Sequence, residues 1–133
     1  MTLKSQFESE LQKLTASIQL TNDTVVKSQA AKDALTQFST TETGKEMLVP
    51  ITESMYVPGV VQETKRPIIE LGTGYFAETS VENATAFFSR RIARLNKQQD
   101  SLRNSFKEKQ SQYQITVQTI NQKLQQSRRA PQQ

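Results

Sequence analysis

A mainly α fold of the α+β class, a long antiparallel coiled-coil helix pair joined by two β-hairpins, is predicted by three features of this 133-residue sequence. All four glycines (Gly44, Gly59, Gly72, Gly74) and three of the four prolines (Pro50, Pro58, Pro67) lie between 44 and 74, with Pro131 left for the tail. Gly costs about 1 kcal/mol and Pro about 3 kcal/mol inside a helix, so the flanking segments, free of both, read as long helices. Those segments carry apolar residues on a 3-4 spacing, whereas the middle is dense in Val, Ile, Tyr and Phe, which favour strands. At this length the chain is expected to be one domain. Its parts are an N-terminal coiled-coil helix (1–43), two hairpins used for assembly (44–80), and a C-terminal coiled-coil helix with a short tail (81–133).

In the first helix the a and d positions run Lys4, Phe7, Leu11, Leu14, Ile18, Thr21, Val25, Ser28, Lys32 and Leu35. Six of these ten are large and apolar, a coiled-coil seam weakened by polar positions. In the last helix they run Ile92, Leu95, Gln99, Leu102, Phe106, Lys109, Tyr113, Thr116, Ile120 and Lys123, again with six apolar. Beyond Tyr113 the stripe steps to Val117, Ile120 and Leu124, a stutter. Apolar residues at this spacing ordinarily form a core. The reach is what stands out: helices over 2–40 and 81–128 span about 58 and about 72 Å, more than a small domain's diameter. An antiparallel pairing brings Leu3, Phe7 and Leu11 toward Val117, Ile120 and Leu124. Ser80 is the candidate N-cap of the second helix.

The insert reads as strands over Met47–Ile51, Met55–Gln62, Ile68–Leu71 and Tyr75–Thr79. Thr52-Glu53-Ser54 is the first hairpin loop. Val57-Pro58-Gly59 fits a type II turn or bulge, and Gly72-Thr73-Gly74 is the tight second connection. Leu48 with Val49, Val60 with Val61, Ile68 with Ile69 and Tyr75 with Phe76 make both strand faces apolar. One chain cannot cover both faces of such short strands, and bare edges invite pairing. The inserts of several chains are therefore expected to join into a shared sheet or barrel.

The absences bound the chemistry. With no Cys and no His there is no disulfide, no thiol nucleophile, no Ser-His-Asp triad and none of the usual zinc ligands. Carboxylates and lysines occur without the grouping that acid–base work needs, so no enzyme, no catalytic residue, no metal site and no cofactor are expected. No apolar run reaches 18 residues, and the opening Met1-Thr2-Leu3-Lys4 has no apolar signal region. The expectation is a soluble, cytoplasmic protein with no membrane contact, some presence in the nucleus being compatible with it. Net charge is −1 over 1–43, −2 over 44–80 and +7 over 81–133. The basic residues of the last segment, from Arg90 to Lys109, spread round the helix with few aromatics among them, so nucleic acid is not the expected partner.

The insert also resembles a known family. The run Gly44-Lys45-Glu46-Met47-Leu48-Val49-Pro50-Ile51-Thr52-Glu53-Ser54-Met55-Tyr56-Val57-Pro58-Gly59, the run from Glu70 to Glu78, the opening Leu3–Gln6 and the segment Ala86–Ile92 resemble alpha-class subunits of prefoldin, over about residues 3–126. Glu70 stands where that family usually has Asp, and Phe76 is a frequent exchange with Tyr. The resemblance implies a hetero-hexamer of two alpha-class chains with two hairpins each and four beta-class chains with one. The hairpins would build a double β-barrel platform bearing coiled-coil tentacles. Leu48, Val49, Ile51, Met55, Tyr56, Val57, Pro58, Gly59, Ile69, Leu71, Gly72, Gly74, Tyr75 and Phe76 would serve assembly. Leu3, Phe7, Leu11, Val117, Ile120 and Leu124 would hold substrate at the tips. The implied activity is an ATP-independent holdase that captures unfolded actin and tubulin chains and delivers them to the cytosolic group II chaperonin. Arg128-Arg129 are candidates for contact with the chaperonin rim. The alternative is a coiled-coil scaffold or adaptor subunit of the same architecture, with or without associated nucleic acid.

Overall fold

The computed structural model describes residues 2–129. Pro131 and the tail expected after the second helix lie outside the described residues. The elements are α1 (Leu3–Ser39), β1 (Glu46–Pro50), β2 (Tyr56–Val60), β3 (Ile68–Gly72), β4 (Tyr75–Glu78) and α2 (Val81–Arg129). The four expected strands are present with ends within two residues of expectation, and α1 ends at Ser39, short of the boundary expected at 43. The chain forms two compact units: Val25–Arg94, and the residues up to Thr24 together with those from Leu95 onward.

The second of these is an antiparallel helix pair. Ascending α1 from Glu8 to Glu10 descends α2 from Tyr113 to Lys109. Phe7, Leu11, Leu14, Ile18 and Thr21 on α1, and Leu95, Gln99, Leu102, Phe106, Lys109, Tyr113, Thr116 and Val117 on α2, are half-buried or buried. Of the expected a and d positions in this pair, Lys4, Ile120 and Lys123 are exposed and the others are withdrawn from water. Two polar ones, Thr21 and Gln99, are among the most buried. The Thr21 hydroxyl donates back to the Ser17 carbonyl at 2.9 Å, which satisfies it within its own helix.

In Val25–Arg94 a small core of Leu35, Ile69, Ala84 and Phe88, flanked by Ala31 and Phe87, fastens β3 to both helices. The Phe87 and Phe88 rings meet edge to face at 5.3 Å between centroids. Ala84 is fully buried, so no larger side chain fits without moving its neighbours. α2 begins where expected. The Ser80 hydroxyl accepts from the Asn83 amide at 3.2 Å, and the Ser80 carbonyl takes the Ala84 amide.

The strands form two separate two-stranded antiparallel sheets, β1-β2 and β3-β4. The first is closed at its loop by the Ile51 amide donating to the Met55 carbonyl, around the expected Thr52–Ser54 connection. At its base the Gly44 and Val61 amides donate to the Val61 and Lys45 carbonyls. The second turns through Thr73 and Gly74, with Gly74 at φ +79°, the left-handed region that favours glycine. A register shift between Glu70 and Gly72 leaves Leu71 as an extra residue.

One expectation is corrected. Val57-Pro58-Gly59 is neither a turn nor a bulge. These residues lie inside β2, opposite Val49, Leu48 and Met47. β2 has a partner on one side only, so Pro58 can lack an N–H there without breaking a ladder. Gly59 has no positive φ and is selected by space instead: a Cβ there would lie 3.1 Å from Val49 Cγ2.

Candidate functional site

Two surfaces concentrate the residues that the sequence singled out. The first is the distal part of the helix pair. Phe7 is half-buried beneath Lys109, whose Nζ lies 5.5 Å from the ring centroid and 2.8 Å from Glu10 Oε2. One helical turn along, the Tyr113 hydroxyl donates to Glu8 Oε1 at 2.9 Å. Lys4 approaches the same Glu8 oxygen at 4.0 Å. The hydrogen bond and charge of Lys109 hold the Glu10 carboxyl below the ordinary carboxylate range. The bond to Glu8 raises the Tyr113 hydroxyl above its usual value, because ionisation would end the donation and place two anions together. Lys109, polar at a d position, is thus a register pin that the spacing alone did not reveal.

These contacts fix the register. Moving back along α1 from Glu8 moves forward along α2 from Tyr113, so Leu3 falls opposite about residue 118. The expected facing sets are corrected accordingly. Leu11 is level with residues just below Lys109, and only Val117 is near Leu3. Ile120 and Leu124 lie beyond the level of Leu3 and are exposed among the described residues. Burial agrees: Thr116 and Val117 are half-buried, while every residue over 118–129 is exposed. Ile120 is 38% exposed, Leu124 55% and Leu3 57%. The stutter step to Val117 is present, and Val117 is the last half-buried position of α2.

The second surface is the hairpin pair. Leu48, Val49, Ile51, Met55, Tyr56, Val57, Leu71, Tyr75 and Phe76 are all exposed, Tyr75 by 75% and Phe76 by 66%. Pro58 is exposed among them, and Gly59 and Gly72 are half-buried. Ile69 departs from this set. It is buried in its own chain's core and anchors β3, so its side chain is not on the open face. Across the second hairpin, Arg66 pairs with Glu78 at 3.1 Å and steadies the mouth where the strands begin and end.

Helix pair, double hairpin and bare apolar hairpin faces together define a protein that is built to assemble, and comparison with known proteins gives the family. Residues 7–126 match the prefoldin subunit family, and the chain belongs to it. Its similarity runs to the eukaryotic subunit 5. It is 38% identical to Prefoldin subunit 5 of Homo sapiens over 124 residues, 93% of this chain and 80% of that protein. It is 30% identical to Probable prefoldin subunit 5 of Dictyostelium discoideum over 92% of this chain and 76% of that one. The fold is shared with a chain in a cryo-EM structure of filamentous PFD from Methanocaldococcus jannaschii, with a TM-score of 0.77 and 19% identity over 86% of this chain and 95% of that one. Membership makes the protein a co-chaperone subunit that assembles with other prefoldin subunits.

Proposed function

We propose that this chain is one subunit of a cytoplasmic hetero-hexameric holdase, working without ATP, that captures unfolded actin and tubulin chains at its helix ends and passes them to the group II chaperonin. The observation that carries this reading is the overrun of α2. Residues 118–129 continue as helix past the last half-buried position, Val117, and hold Ile120 and Leu124 in water. Apolar side chains kept exposed on a stable helix are a standing offer to an unfolded segment. Each is worth on the order of 1–3 kcal/mol when fully buried, so single contacts are weak and reversible. Several tips acting together hold a client by avidity without a tight site. Gln118, Gln122, Gln125 and Gln126 surround the apolar pair and keep it soluble. Assembly rests on the exposed hairpin faces, from Leu48 to Phe76.

The test is light scattering of diluted, denatured actin with the reconstituted complex carrying Leu3→Ser, Ile120→Ser and Leu124→Ser. All three positions are exposed, so the helices should stay folded. Half-maximal suppression of aggregation is expected to need about tenfold more variant complex. Equal suppression by variant and wild type would remove these residues from client binding.

A further inference from the structure

The exposed end of α2 is sided by charge as well as by hydropathy. With Ile120 as reference, Leu124 lies about 40° round the helix and Ser127 about 20° the other way. Lys123 borders this strip at about 60° on one side and Arg128 at about 80° on the other, with Arg129 on the back at about 180°. No Asp or Glu follows Glu108 in the sequence. Among the described residues, none of the three ion pairs involves Lys123, Arg128 or Arg129. From α1 the groups that come nearest this level are Lys4 and Glu8, and Glu8 is already shared between Tyr113 and Lys4. Among the described residues, the apolar strip therefore lies between cations with no carboxylate side chain beside them.

We propose that this strip selects, among unfolded polypeptides, apolar segments flanked by acidic residues. The inference rests on the client-binding reading above and adds a substrate class to it. Ile120 and Leu124 supply affinity for the apolar residues, while Lys123 and Arg128 favour a carboxylate on either side and disfavour a lysine. Exposed ion pairs are individually weak, so two of them together give a preference of about fivefold. Nucleic acid fits less well, since no aromatic residue follows Tyr113 to stack on a base. A lipid surface fits less well too, because Ile120 and Leu124 are the only large aliphatics over 118–129, too few for an inserted face.

Fluorescence anisotropy with the reconstituted complex tests this. The probes are two labelled unfolded peptides with the same apolar core, one flanked by Glu and one by Lys. The expected result is about fivefold tighter binding of the Glu-flanked peptide at about 0.05 M salt, shrinking toward equality at about 0.5 M as screening sets in. Lys123→Glu/Arg128→Glu should abolish or reverse the preference and still bind an apolar core. Equal affinities in the wild type overturn the inference, as does a preference that the charge variant leaves unchanged. So does a charge variant that loses only an oligonucleotide or anionic vesicles. Charge-blind peptide binding that Ile120→Ser/Leu124→Ser abolishes overturns this inference and leaves the client-binding reading standing. Binding that neither variant alters overturns both.

Discussion

Phe88 shows how much rests on single residues in this chain. It is 8% exposed in a core that, among the described residues, has four buried side chains, where it packs beside Ile69 of β3. Phe88→Ala should cost about 3 kcal/mol locally, since a core this thin has little other packing to hold β3 against the helices. Hydrogen exchange of the assembled complex should then show protection of the β3 and β4 amides falling by about a hundredfold. The β1 and β2 amides, closed by their own bonds at Gly44, Val61 and Met55, should change far less. A uniform change across both hairpins would contradict this division. At this scale the sequence was legible where one residue has one strong local role. Ser80 as N-cap and Gly74 at the tight turn both follow from local chemistry. Pro58-Gly59 misleads because the dipeptide is a turn signal only when both residues take turn angles. Here strand pairing and the 3.1 Å approach to Val49 decide instead.

Among the elements, the helix pair is governed by where α1 and α2 lock together. Heptad spacing identified which faces meet, and burial follows it from Phe7 to Thr21 and from Leu95 to Val117. Spacing could not give the axial register, which is set by Glu8–Tyr113 and Glu10–Lys109, pairs about a hundred residues apart in sequence. The pH dependence of these two contacts has opposite signs. Glu10 has a lowered pKa when folded, so its pairing contributes fully above the ordinary value of 4.5 and is lost as pH falls through the lowered one. Tyr113 has a raised pKa, so its bond contributes fully below 10.0 and is lost as pH rises through the raised value. In thermal melts of helicity, the difference between wild type and Glu10→Gln should vanish only in acid. That between wild type and Tyr113→Phe should vanish only in alkali. A difference that persists unchanged across both limits would show that neither contact holds the register.

For the whole molecule, the decisive fact is how little this chain buries alone. The described residues contain no large side chain that is fully buried, while Leu48, Tyr56, Tyr75 and Phe76 stand in water on strands of four or five residues. Isolated hairpins of this size are marginal, and their bare edges and faces need other chains. That requirement was legible in the sequence, because segments such as Leu48-Val49 and Tyr75-Phe76 make both faces of short strands apolar. What the sequence left out was the division of labour within the insert: Ile69 turns inward to its own helices while its neighbours in the strands stay open. Native mass spectrometry of the tagged protein, gently purified from its own cells, checks whether this chain is one distinct subunit of a hetero-hexamer joined through the hairpins. The expected result is a hexamer holding one copy of this chain with five different helix–hairpin–helix relatives, lost when Tyr75 and Phe76 are both replaced by Ser. A homo-oligomer, or a hexamer indifferent to those two substitutions, would contradict it.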